Sequence, residues 1–275
     1  MNSFFSFPLL SYDLKARTRN FLIWALISLC LFILIIVMFS NLLSAGLPDF
    51  LNDMLASIPS SVSNGSHKTE LPNFKDFGVN FGVCMQMMLI VGCVYASYLG
   101  ASANTGSRGD SDITFIYSMP VTRLCTVMTS FIAQFVTLFC YNIIVILISI
   151  GVLYSNNKMS YLPKVLIAVA AFLLIELVYL SISFLLSTFM NSSSQASSIS
   201  AVMVTVTVLF GLIGSFAPSL KIIKILSPYT YISVYAILSG GSRMFFVGIV
   251  AGVLITIVSL VLSCARYEKI DFLLD

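Results

Sequence analysis

Few residues in this chain have the types and spacing for chemistry. It has one histidine, His67, and six cysteines. Cys30, Cys84, Cys93, Cys140 and Cys264 fall in or at the ends of long apolar runs, and Cys125 borders a short polar segment. No CxxC pair occurs, and a lone histidine cannot complete a Cys/His zinc set whose other ligands lie in lipid. No metal site is expected. Catalytic residues are not expected either, because an intramembrane enzyme needs convergent His, Asp, Ser or Cys groups. A phosphate loop of the GxxxxGK[ST] type is missing, and Gly106-Ser-Arg-Gly109 has neither its spacing nor its lysine. Glu176, in Phe172-Leu-Leu-Ile-Glu-Leu-Val-Tyr-Leu180, is the one acidic residue deep in an apolar run. A charge there costs at least about 2.5 kcal/mol, so Glu176 must face the bundle interior or be protonated. Two readings of it stand: contact with cargo or a gate, or a structural hydrogen bond to Gln134 or Asn142 of the preceding run. Gln86 is a weaker pathway candidate.

The elements that position these groups are membrane spans. A hydrocarbon core about 30 Å thick needs about 20 apolar residues of helix to cross it. Six runs qualify: residues 21–43, 79–101, 126–154, 163–188, 197–217 and 244–264, each apolar around its whole circumference. Hydrophobic residues make up 59% of the chain and charged residues 9%, with mean hydropathy +1.02. A soluble domain would carry about a quarter charged residues. The expected fold is therefore an all-α membrane protein forming one transmembrane domain over residues 1–275. The first run is too long for a cleavable signal peptide and should be retained.

Basic residues divide evenly between the two sides, with Lys15, Arg17, Arg19, Arg108, Arg123, Arg266 and Lys269 opposing Lys68, Lys75, Lys158, Lys164, Lys221, Lys224 and Arg243. The first span breaks the tie, because three basic residues precede it and none follows directly, which places both termini in the cytoplasm. Before it, Phe4 to Leu14 alternate with Tyr12, Asp13, Lys15, Arg17 and Arg19, suiting a short interfacial helix that starts near Pro8 and touches membrane lipid. Residues 44–78 form the large outer loop. Its Asn64-Gly-Ser66 triplet is too short a match to carry weight. Residues 218–242 are too long for a turn and too polar to span, which suits a re-entrant outer element broken at Ser227-Pro-Tyr-Thr-Tyr231. Glycines spaced as GxxxG, Gly78 with Gly82 and Gly248 with Gly252, mark close helix contacts.

Between the second and third spans, residues 102–125 form the inner loop. After the flexible Gly106-Ser-Arg-Gly109, Asp110 or Ser111 can cap a helix that stops at Pro120. Ile113, Ile116 and Tyr117 share one face of it, and Phe115 and Met119 form a second apolar pair. One face can rest on the protein's own helix ends, leaving the other for a groove on a cytosolic partner.

Ile113-Thr-Phe-Ile-Tyr-Ser-Met-Pro-Val-Thr-Arg123 resembles the stretch ending Leu-Pro-Val-Ser-Arg in permease subunits of type-2 ATP-binding-cassette (ABC) transporters. Leu9-Leu-Ser-Tyr-Asp-Leu-Lys15, Leu226-Ser-Pro-Tyr229 and Tyr267-Glu-Lys-Ile-Asp271 fall in the matching order, so the resemblance spans nearly the whole chain. It implies that 109–123 is a coupling helix. Docking to the ATPase would fall to Asp110, Asp112, Ile113, Phe115, Ile116, Ser118, Met119 and Pro120, with Arg123 anchoring the exit. Relatives often carry glutamates where this chain has Gly109 and Thr114, and Asp110 and Asp112 can supply that charge. The resemblance further implies that residues before the last span close the outer mouth. It thereby adds Pro228, Tyr229 and Tyr231 to Glu176, Gln134 and Asn142 as pathway or gate residues.

The resulting expectation is an ATP-driven exporter half. This chain would pair with a second copy or a homologous permease and with two ABC ATPase subunits, surrounding a pathway with twelve spans. It would hold no cofactor of its own, ATP and Mg being bound by the partner ATPase, and would bind no nucleic acid. Cargo would be hydrophobic or amphipathic: peptide, antibiotic, drug or lipid. The expected location is a bacterial plasma membrane. The alternative is an ion-driven secondary transporter or channel, which should show internal repeats and several intramembrane charges.

Overall fold

The computed structural model of the protein describes residues 7–44, 77–105, 122–190, 192–216, 227–232, 237 and 245–268. Among these residues the only regular elements are helices: α1 (Phe7–Ser44), α2 (Phe77–Thr105), α3 (Arg123–Ser155), α4 (Leu162–Ser187), α5 (Ser193–Phe216) and α6 (Phe245–Glu268). All six are long and apolar enough to cross a membrane. Two short 3₁₀ turns, Met159–Tyr161 and Pro228–Thr230, complete the description.

Local sequence explains the ends. Thr122 caps α3 by accepting from the Cys125 amide at 3.3 Å. At its far end Asn157 takes a positive φ of 53°, which asparagine tolerates, so the chain reverses within a few residues. Pro163 then sits in the first turn of α4, where its missing N–H costs nothing. Ser192 caps α5 by accepting from the Gln195 amide at 3.3 Å. The stretch expected as a separate interfacial helix runs straight into the first span, making α1 a single helix of 38 residues. Pro8 lies in its first turn, and no Gly or Pro between Leu9 and Phe21 interrupts it.

Side-chain pairings give the helix directions. Along α1 and α2, Arg17 meets Ser102, Trp24 meets Tyr95 and Phe32 meets Phe81, so these helices are antiparallel. Ser97 Oγ lies 2.8 Å from Ser183 Oγ, and Gly78 lies against the Tyr161 ring, so α2 and α4 run parallel. Phe131 of α3 stands edge-on to Phe184 of α4, while Asn142 reaches Glu176, an antiparallel pair. Gly252 faces Val178, and the Arg266 guanidinium lies over the Phe189 ring, so α6 descends beside α4. The start of α1 and the end of α6 therefore share one face of the bundle. The α2 and α3 ends that flank residues 106–121 lie on that same face.

The largest interface joins α2 and α4, the two most enclosed helices. Met85, Leu89, Cys93, Tyr95 and Ala96 of α2 are buried with Ala168, Phe172, Ile175, Tyr179 and Leu180 of α4. Gly100 makes the approach possible: a Cβ there would overlap the Leu180 carbonyl oxygen and crowd the Phe184 amide. Backbone cannot swing aside as a side chain can. Gly100→Ala is therefore expected to lower stability by about 1–3 kcal/mol, read as a fall in melting temperature in detergent. Gly151→Ala, where a Cβ meets nothing within 4 Å, should leave stability unchanged or raise it by up to about 1 kcal/mol.

Candidate functional site

Three polar clusters interrupt the apolar interior. The central one joins three helices. Glu176 of α4 is buried, and its Oε2 accepts from Asn142 Nδ2 of α3 at 2.5 Å. The same nitrogen donates to the Leu138 carbonyl at 3.1 Å, leaving Asn142 Oδ1 buried without a partner. On the α2 side the Glu176 carboxylate fills the space where Gly92 lacks a side chain, and any Cβ there would collide with it. No cation faces Glu176 among the described residues. A charge buried at this depth without a counter-ion is costly.

One residue before Asn142, the Tyr141 hydroxyl lies 2.9 Å from Ser28 Oγ of α1. Its ring packs 4.9 Å from that of Tyr95, which packs 5.3 Å from Trp24. The Tyr95 hydroxyl is buried without a partner. A tyrosine ladder thus links α1, α2 and α3 beside the Glu176 junction.

The second cluster surrounds the turn after Ser227. Pro228 and Tyr229 are buried, and Tyr231 is half-buried. The Tyr229 hydroxyl donates to the Gln86 carbonyl at 3.4 Å. Gln86 is nine residues into α2, so Tyr229 reaches about 13 Å along that helix. The turn sits on two glycines, because a Cβ at Gly211 of α5 would strike Ser227 and Thr230, and one at Gly248 of α6 would strike the Tyr231 carbonyl. Just beneath, the Tyr179 hydroxyl lies 3.0 Å from Thr207 Oγ1, tying α4 to α5.

The structure brings Glu176 and Asn142 together and sets Pro228, Tyr229 and Tyr231 against the ends of α5 and α6. It does not bring Gln134 to Glu176. Gln134 lies more than two turns from Asn142 along α3 and meets Arg17 of α1 instead. Asp110, Asp112, Ile113, Phe115, Ile116, Ser118, Met119 and Pro120 lie outside the described residues; Arg123 is the first residue of α3. Sequence reading missed Gly92, Gly100, the tyrosine ladder and the role of Arg17. The available signal was glycine inside a span at positions where a neighbouring helix must come close.

The steric fit between Gly92 and Glu176 gives a test by non-additivity. Gly92→Ala should destabilise by about 2 kcal/mol. In a Glu176→Ala background the same substitution should cost less than half as much, because the colliding carboxylate is gone. Equal costs in thermal unfolding of the two backgrounds would remove Glu176 from this junction.

A family model described as ABC-2 family transporter protein matches residues 7–272, nearly the entire chain. No curated protein matches it.

Proposed function

The chain belongs to the ABC-2 transporter family, and from that premise we propose that it forms half of an ATP-driven exporter, coupled to separate ATPases through residues 109–123. Members of this family are multi-pass transmembrane subunits of ABC transporters that work with ABC ATPase subunits. The observation that carries the reading is the match along nearly the whole chain together with six helices fit to span a membrane. Within that frame, two copies or two homologous permeases enclose the pathway, and two ATPases bind ATP and Mg. Both termini face the cytoplasm. Cargo is hydrophobic or amphipathic, in keeping with the apolar character of the spans.

The physical logic is a two-state one. Closing of an ATP-bound motor moves the docked helices and biases the attached spans toward one of two packings. Pro228, Tyr229 and Tyr231 form the outer closure, supported by the close approach of Tyr229 to Gly211 and of Tyr231 to Gly248. Glu176 and Asn142 form a polar hinge within the bundle, supported by their position between three helices.

Replacing Phe115 and Met119 by Asp places two charges on the apolar face proposed to dock. Copurification of the ATPase should fall at least about tenfold, while the permease still inserts in the membrane. Unchanged copurification and transport would reject this docking surface.

A further inference from the structure

The third polar cluster lies at the face shared by the chain ends. Arg17 of α1 is partly buried, and its Nη1 donates to Ser102 Oγ at 2.7 Å. Its Nη2 donates to the Ser102 carbonyl at 3.2 Å. With the Gln134 amide turned so that its oxygen meets the guanidinium, that oxygen lies 2.9, 2.9 and 3.0 Å from Nε, Nη1 and Nη2, over the face of the group. Ser102 Oγ in turn donates to the Leu99 carbonyl at 3.1 Å. One side chain of α1 therefore holds α2 and α3 at once.

The position of Ser102 makes this more than packing. Ser102 and Ala103 lie in the last turn of α2, whose final four carbonyls have no amide partner within the helix. Arg17 satisfies the Ser102 carbonyl from α1, and Ser130 Oγ of α3 donates to the Ala103 carbonyl at 3.3 Å. A cation at a helix C-terminus also gains from the helix dipole. The start of α3 is capped locally, by Thr122. Residues 106–121 thus leave from a helix end capped in trans and return to one capped locally.

We propose that Arg17 is a positioning residue for energy coupling: by capping α2 from α1 while gripping Gln134 of α3, it makes the two helix ends flanking residues 106–121 move as one body with α1. The inference rests on the docking role proposed above for 109–123. A neutral side chain at position 17 frees the last turn of α2, so displacement of the docked segment is absorbed there instead of passing into the spans. Guanidinium suits the task because its planar fork reaches a hydroxyl and a carbonyl together while its face meets the Gln134 amide, whereas an ammonium is a single point.

The test uses the full-length permease and its assembled ATPase complex in lipid nanodiscs. For Arg17→Gln the expected results are normal copurification of the ATPase, amide exchange about 10-fold faster at residues 101–105, and ATP hydrolysis per complex about 5-fold lower. Arg17→Lys should fall between this variant and the natural protein. Ser130→Ala removes the second trans contact to the same helix end and should move exchange and hydrolysis in the same direction by less. It decides the question alone if Arg17→Gln does not fold. Unchanged exchange at 101–105, or faster exchange with unchanged hydrolysis per complex, overturns the proposal. A natural permease that copurifies no ATPase overturns the docking reading instead, and that case is recognisable because the exchange difference persists without the partner.

Discussion

Backbone contact between α2 and α4 is the constraint on which the bundle depends. In lipid no hydrophobic force drives one apolar helix onto another, so association rests on close packing and on polar groups that find partners inside. Gly100 lets the α4 backbone come against α2, and Gly92 leaves the volume that the Glu176 carboxylate occupies. Between them, the Ser97 and Ser183 hydroxyls meet at 2.8 Å. Steric room and hydrogen bonding thus alternate along one parallel interface, which fixes its register more tightly than interdigitated leucines could.

The other helices are arranged around this pair by polar groups at different depths. Near the face with the chain ends, Arg17 joins α1 to α2 and α3. At mid-depth, Asn142 joins α3 to α4, and Ser28 with Tyr141 joins α1 to α3. About one turn beyond Glu176 on α4, Tyr179 with Thr207 joins α4 to α5, and toward the opposite face Tyr229 joins the turn after Ser227 to α2. Most of these are neutral pairs, each contributing about 1 kcal/mol in a membrane interior. Small terms of this size permit two packings to lie close in energy, as a moving bundle requires.

The spans were legible because continuous apolar runs of helical length have no other stable use, and the family was legible in the order of short motifs along the chain. The partnership of Glu176 with Asn142 was legible as one of two options, since a polar group at that depth must find another. Which option held was not, because sequence spacing along α3 does not say which of Gln134 and Asn142 faces α4. Arg17 shows a different limit. As one of three basic residues before a span it read as an orienting charge, and its partners Ser102 and Gln134 are 85 and 117 positions away in the chain, brought close only by the packing of α1 against α2 and α3. The continuity of α1 was visible in the absence of Gly and Pro after Pro8, but amphipathic alternation at its start favoured a separate helix.

The polar contacts also order the helices mechanically. A displacement applied at the face where α2 ends and α3 begins enters two helices that Arg17 ties to α1. From α2 it passes to α4 through backbone contact at Gly100, which cannot yield as a side chain can. Rotation of α4 then acts at Glu176, where Asn142 holds one carboxylate oxygen and Gly92 leaves little space for the other. It acts again at Tyr179, whose hydroxyl carries the motion to α5 one turn below Gly211, the seat of the Pro228 turn. On the proposed transport cycle, α4 is thus the helix through which the inner docking segment and the outer closure are connected. A charge or bulk change along its α2-facing side therefore matters more than one on the exposed sides of α1, α5 or α6.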